Sequence, residues 1–166
     1  LRMTLLISFA ALFVSVFLLQ LGLGGVVPLD ALSGTALGFT AEQIGTMGSA
    51  HFLGFFVGCW WAPRLMGTVG HSRAFAAFTA AGTTGILAHM MWTDPWAWAG
   101  MRMLSGLAVA GCYTIIEAWL QSKVTNETRG RAMGGYRMVD MVGSLCAQMI
   151  IGFLEPAHYV SYNLLA

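Results

Sequence analysis

Few side chains in this sequence could do chemistry, because charged residues make up only 9% of it. Arg102 is the clearest candidate, since it lies about six residues into a long apolar run, roughly 9 Å from the end of the predicted helix. Arg102 belongs to a polar stripe along one face of this predicted helix. If the stripe lines a water-filled cavity, Arg102 could bind an anionic group or bias the proton affinity of a carboxylate. A structural hydrogen-bond network would suit the same residues, and the sequence leaves both open. The stripe covers a sector of about 60° and consists of Arg102, Gly106, Tyr113 and Glu117.

Glu117 lies near the other end of the same predicted helix, where basic residues are plentiful. We expect Arg73, Arg129 and Arg131 to lie at that end of the protein as well, so any of them could pair with Glu117. The sequence therefore favours a charge network around Glu117 over a direct role in chemistry.

Other polar residues interrupt the apolar runs singly. Asp140 lies one turn after Arg137, so the two are expected to pair, with a proton-carrying role for Asp140 as the alternative. His51 could titrate near neutral pH or serve only in packing. Gln20 and Gln148 could line a cavity or bond across helices.

No residue pattern indicates catalysis, so we do not expect an enzyme. The sequence has no nucleophile elbow, metal-ligand spacing or phosphate-binding glycine loop, and we predict neither a cofactor nor a metal site. Three separated cysteines lie in apolar runs, where they are typical buried residues. A net charge of +1 offers no nucleic-acid-binding surface.

The elements that hold these residues are predicted to be membrane-spanning helices. A hydrophobic content of 57% indicates a lipid environment, in which about 20 apolar residues make one crossing. Glycine spacings such as Gly54 and Gly58 favour close helix packing, hence a single transmembrane helical domain over 1–166. The predicted helices are 3–27, 41–66, 74–92, 96–121 and 135–154, with a partial sixth from about 157.

Local signals set the expected helix ends. Thr40 and Gln43 have the spacing of a capping box, and Asp94 followed by Pro95 is typical of a helix start. Prolines are tolerated near helix ends, so we expect such positions for all four. They are Pro28, Pro63, Pro95 and Pro156.

Basic residues occur in alternate connections, which predicts the orientation. Arg2, the 67–73 loop and the 122–134 loop supply cations, whereas loops 28–40, 93–95 and 155–158 contain none. The N-terminus and the basic loops are therefore expected in the cytoplasm. The loops without cations carry Asp30, Asp94 and Glu155.

Two motifs resemble those of the major facilitator superfamily. The segment from Pro63 to Arg73, PRLMGTVGHSR, is similar to the family's loop signature after the second helix and keeps its second glycine at Gly70. Arg102 and Gly106 match the family's Arg-x-x-x-Gly motif, which is associated with proton coupling. The segments GCYTIIEAWL and RGRAMGGYRMVD further resemble a poorly characterised bacterial subgroup.

The resemblance implies the N-terminal six-helix half of a transporter in a bacterial inner membrane. Proton-linked movement of a small organic solute by alternating access is then expected, with a second six-helix half or larger complex and the lipid bilayer as partners. Arg102 would couple or bind anions, Arg73 would join a cytoplasmic gate, and Gln20, His51, Tyr113 and Gln148 would line the cavity. A non-transporting accessory subunit remains open, as do a homodimeric half-transporter and a membrane-embedded enzyme.

Overall fold

The computed structural model describes residues 2–166, with side chains described from residue 7 onward, and this part of the chain contains helices and no strands. The predicted all-α bundle of five long helices and a shorter sixth is confirmed. The side chain of Arg2, one of the predicted topology signals, lies outside the described residues. The helices are α1 (Arg2–Ala36), α2 (Ala41–Val69), α3 (His71–Ala88), α4 (Pro95–Lys123), α5 (Arg129–Ile151) and α6 (Tyr159–Leu165).

The first helix is longer than the sequence indicated. Pro28 lies inside α1, and Pro63 lies inside α2, so the expectation that prolines mark helix ends is wrong for both. A proline inside a helix can be accommodated where neighbouring helices support the interrupted backbone. As a result, the predicted loop 28–40 is mostly helical, and Asp30 belongs to the interior of α1.

Two predicted helix starts are confirmed. The Thr40 side chain accepts a hydrogen bond from the Gln43 backbone N–H at 3.2 Å, and the Gln43 side chain accepts one from the Thr40 N–H at 2.9 Å. At the start of α4, the Asp94 carboxylate accepts from the N–H groups of Trp96 and Ala97 at 3.0 and 2.9 Å. Both arrangements satisfy backbone donors that the first helical turn leaves free.

The connection between α2 and α3 is a single residue rather than the predicted 67–73 loop. Gly70 has a φ of 86°, a left-handed conformation that glycine adopts without steric cost. Its N–H bonds the Met66 carbonyl at 3.0 Å. Arg73 therefore lies in the first turn of α3 instead of in a loop.

The most extensive packing is that of α2 against α4, and α1 packs against α5. Helix α4 also packs on α3, while α6 contacts α1 and α3. Glycines permit the close approach of α2 and α4, because a methyl group on Gly54 would overlap the Met103 carbonyl, and one on Gly106 would overlap the His51 carbonyl. The glycine spacing noted in the sequence thus serves helix packing.

Only two of the described helices are apolar enough by themselves to indicate membrane crossing. They are Ile7–Ala36 and Pro95–Lys123, with mean hydropathies of 2.2 and 1.5. Hydropathy therefore supports two of the five predicted crossings and does not by itself indicate the other three. Polar residues and glycines lower the average in the others.

Replacing Gly54 by alanine should destabilise the bundle by about 1–3 kcal/mol, because the new methyl group must displace the backbone of α4. Thermal unfolding of the purified protein in detergent measures the effect. Gly45→Ala in the same helix is the control, since nothing lies within 4 Å of the added carbon. Equal melting temperatures for the two variants would contradict close α2–α4 packing.

Candidate functional site

A cluster of buried polar side chains joins four helices. The Asp30 carboxylate of α1 contacts the His89 ring, just after α3, at 3.1 Å and the Arg102 guanidinium of α4 at 3.5 Å. Its second oxygen accepts a hydrogen bond from the Tyr162 hydroxyl of α6 at 2.8 Å. Asp30 and Arg102 are each 3% exposed, and His89 is fully buried. A charge so far from water is stable only with partners of this kind.

Aromatic rings close the cluster on the side of the α3–α4 connection. The Tyr162 ring stacks on His89 with centroids 5.1 Å apart, and the Trp98 ring lies 5.0 Å from His89. The indole N–H of Trp98 donates to the carbonyls of His89 and Trp92 at 2.9 and 2.8 Å. These bonds satisfy backbone carbonyls of the α3–α4 connection and hold that connection against Trp98.

The cluster extends to α2 through a serine. Arg102 donates to the Ser105 hydroxyl at 3.4 Å, and Ser105 in turn donates to the Arg102 backbone carbonyl at 2.8 Å. His51 lies 3.3 Å from the same hydroxyl. The structure thus connects His51 and Arg102, two residues singled out in the sequence, through Ser105.

A second polar group lies nearer the middle of the bundle. The Tyr113 hydroxyl of α4 contacts the Gln20 side-chain oxygen of α1 at 2.9 Å and forms a short hydrogen bond with the Asp140 carboxylate of α5. The predicted pairing of Asp140 with Arg137 is therefore wrong. One hydroxyl group holds α1, α4 and α5 together here.

Glu117 occupies the same region and finds a partner on α5. Its carboxylate accepts hydrogen bonds from the Tyr136 hydroxyl and from Arg137, both at 3.1 Å. No described ion pair joins Glu117 to the predicted partners, which were Arg73, Arg129 and Arg131. Arg137 faces α4 rather than its own helix neighbour, so it reaches Glu117 and leaves Asp140 to Tyr113.

These side chains line an open cavity of about 430 Å³ between α1, α2, α4 and α5. Apolar residues such as Phe55 and Val109 form the rest of its wall. Thr114 adds a hydroxyl group to this wall, and five further polar residues include one guanidinium group and two carboxyl groups. They are Gln20, Tyr113, Glu117, Arg137 and Asp140.

The polar stripe predicted on α4 is divided between two places. Arg102 belongs to the buried cluster, Gly106 packs on α2, and Tyr113 and Glu117 line the cavity. Gln148 is exposed on α5 and does not line this cavity. The structure therefore brings Gln20 and Tyr113 together and places Arg102 and His51 elsewhere.

Three members of the buried cluster were missed in the sequence. Asp30 was assigned to a loop because Pro28 suggested a helix end, and His89 and Tyr162 were not singled out. The available signal was the rarity of ionisable residues in apolar runs. The same reasoning that identified Arg102 also applies to Asp30 and His89, and it would have identified both as candidate site residues.

Long apolar helices around buried charges are typical of polytopic membrane proteins, and comparison with known sequences identifies the family. The sequence profile of the Major Facilitator Superfamily matches residues 5–159. The chain belongs to this superfamily of transporters and is an integral membrane protein, as its motifs predicted. No solved structure matches the chain significantly.

The similar curated proteins are bacterial. An uncharacterized MFS-type transporter of Yersinia pestis (strain Pestoides F) is 31% identical over 116 residues, which is 68% of this chain and 30% of that protein. The uncharacterized MFS-type transporter YcaD of Salmonella arizonae is 26% identical over 109 residues, covering 66% of this chain and 28% of its own length. The chain thus spans about a third of the length of the curated relatives it matches.

Replacing Tyr113 by phenylalanine should lower the free energy of unfolding by about 1–3 kcal/mol, because the partly buried side chains of Gln20 and Asp140 lose their polar contact with the hydroxyl group. Denaturant unfolding in detergent measures this change. Tyr159→Phe on α6 is the matched control, because Tyr159 is 59% exposed. Equal losses in the two variants would show that the Tyr113 hydroxyl does not link the helices.

Proposed function

We propose that the chain forms part of a secondary transporter that moves a small organic solute by alternating access. Membership of the superfamily over residues 5–159 is the observation that carries this proposal. Transporters of this architecture bind solute between helix bundles near the middle of the membrane. The cavity between α1, α2, α4 and α5 supplies polar side chains at such a position, and a second six-helix half would face it.

We assign solute contact to the residues that line this cavity. Gln20 and Tyr113 offer hydrogen bonds, and Asp140 offers a carboxylate without a cationic partner in the described ion pairs. The surplus of carboxylates over guanidinium groups favours a solute that is positively charged or rich in hydrogen-bond donors. Gln148, which is exposed on α5, is assigned instead to contact with a second bundle.

We assign proton coupling rather than anion binding to Arg102. Its positive charge already faces Asp30 at 3.5 Å in a site closed to solvent, so an anionic solute would have to displace a buried carboxylate. A residue that connects α1 and α4 is placed to respond when a neighbouring proton is gained or lost. His51 belongs to this coupling network through Ser105.

The distribution of charge supports a cytoplasmic N-terminus. The α2–α3 turn and the α4–α5 connection lie at one end of the helices, and Arg73, Lys123 and Arg129 lie in the helical turns beside them. Asp94 and Glu155 lie at the opposite end. The excess of cations supports a cytoplasmic location for the first end, at a bacterial inner membrane, where Arg73, Arg129 and Arg131 would serve in a gate.

Arg102→Lys should lower proton-linked solute flux at least about tenfold, because lysine keeps the charge but loses the rigid guanidinium contacts with Asp30 and Ser105. The assay uses proteoliposomes of the full-length protein containing a pH-sensitive dye. The solutes are tetraethylammonium and spermidine, with benzoate as the anionic comparison.

Arg64→Lys is the control, since Arg64 is exposed and forms no described ion pair. Unchanged flux in Arg102→Lys would contradict the coupling role. Absence of flux for every solute, together with stable association of the protein with a larger membrane complex, would favour the accessory-subunit function.

A further inference from the structure

The contact between Asp30 and His89 fixes how many protons the pair holds. The Nδ1 atom of His89 lies 2.7 Å from the Gly85 backbone carbonyl, and its Nε2 atom lies 3.1 Å from the Asp30 Oδ2 atom. A carbonyl oxygen can only accept, so Nδ1 must carry a hydrogen. Both ring nitrogens therefore have a polar partner, and the one hydrogen of a neutral His89 ring must lie on Nδ1.

The second contact requires a further proton. If Asp30 is a carboxylate, it can only accept, and Nε2 must then carry a hydrogen, which makes His89 an imidazolium. If His89 is neutral, Nε2 is an acceptor and Asp30 must be a carboxylic acid that donates to it. In both cases the pair holds one proton more than an ionised Asp30 and a neutral His89 would.

Neighbouring groups on each helix around the pair set its charge balance. Arg102 of α4 is the nearby cation, Tyr162 of α6 donates to the other Asp30 oxygen, and His51 of α2 joins through Ser105. Helix α5 contributes no charged group to these described contacts. The cluster carries a net positive charge with the shared proton and is neutral without it, if His51 is neutral.

We propose that Asp30 and His89 share one exchangeable proton and that this pair is the proton-binding site of the transporter. Its part in transport rests on the proposed function, whereas the shared proton does not. On release, the proton passes to water, leaving an Asp30 carboxylate and a neutral His89. No other covalent bond changes.

Release would change which helix Asp30 binds. The Nε2 lone pair of His89 would face the carboxylate and repel it, while Arg102 would remain as its cationic partner among the described side chains. The present Arg102 contact is 3.5 Å, longer than an ideal charged hydrogen bond. Losing the proton would therefore loosen α1 from the end of α3 and draw it towards α4.

The test uses the full-length protein with ¹⁵N-labelled histidine in lipid nanodiscs at about pH 6, below the ordinary imidazole pKa. Nitrogen NMR identifies an imidazolium, and infrared spectroscopy identifies a protonated carboxylic acid. The wild type should show the extra proton as one of these two signals. His89→Gln assigns the imidazole resonances, and Asp30→Asn should remove whichever signal is present.

His71→Gln is the matched control, because His71 is exposed at the opposite end of α3 and should leave the signal unchanged. A wild-type protein with a singly protonated His89 ring and an ionised Asp30 would overturn the proposal. A signal that survives in Asp30→Asn would overturn it as well.

Solute flux through the same wild-type preparation in proteoliposomes separates this inference from the proposed function. The shared-proton signal without flux of any solute would reject transport and retain the proton pair. Flux without the signal would reject the proton pair and retain transport.

Discussion

A carboxylate buried among apolar helices must find partners, and the Asp30 carboxylate finds them on three other elements. Removing a charge from water costs several kcal/mol, so Asp30 is stable at 3% exposure only because groups from α3, α4 and α6 surround it. The requirement determines the relative positions of these helices near one end of the bundle. The continuation of α1 beyond Pro28 is part of the same arrangement, since it brings Asp30 to this depth.

The two polar regions differ in exposure, and this difference supports different roles. The Asp30 cluster is almost completely buried and packs against the Trp98 and Tyr162 rings. The Tyr113 region borders an open cavity and includes a partly exposed Glu117. A closed site suits a proton, and an open one suits a larger ligand. Helix α4 contributes to both regions, with Arg102 in the cluster and Tyr113 and Glu117 at the cavity.

Much of the fold could be predicted from local sequence signals. Capping residues act through their own backbone neighbours, so Thr40 and Asp94 identified two helix starts correctly. Apolar runs identified the number of helices, and Arg102 was recognised because a charge is costly in such a run. Each of these features is determined by residues within a single segment of the sequence.

The partners of the polar residues could not be predicted in the same way. Arg137 has Asp140 within one helical turn, yet it reaches Glu117 because α5 is rotated to face α4. Asp30 was misplaced because a proline usually ends a helix in water, whereas α1 continues through it. The rotation and depth of a helix are set by its packing against other helices. The periodicity of residues within one helix carries no information about that packing.

The most direct test of the central role of Asp30 is a double-mutant cycle with Asp30→Asn and Arg102→Gln. Unfolding in detergent gives the free energy for each single variant and for the double variant. Direct pairing predicts a coupling energy of about 1–3 kcal/mol between the two sites. Losses that add to within about 0.5 kcal/mol would show that the two residues act independently and would contradict this account.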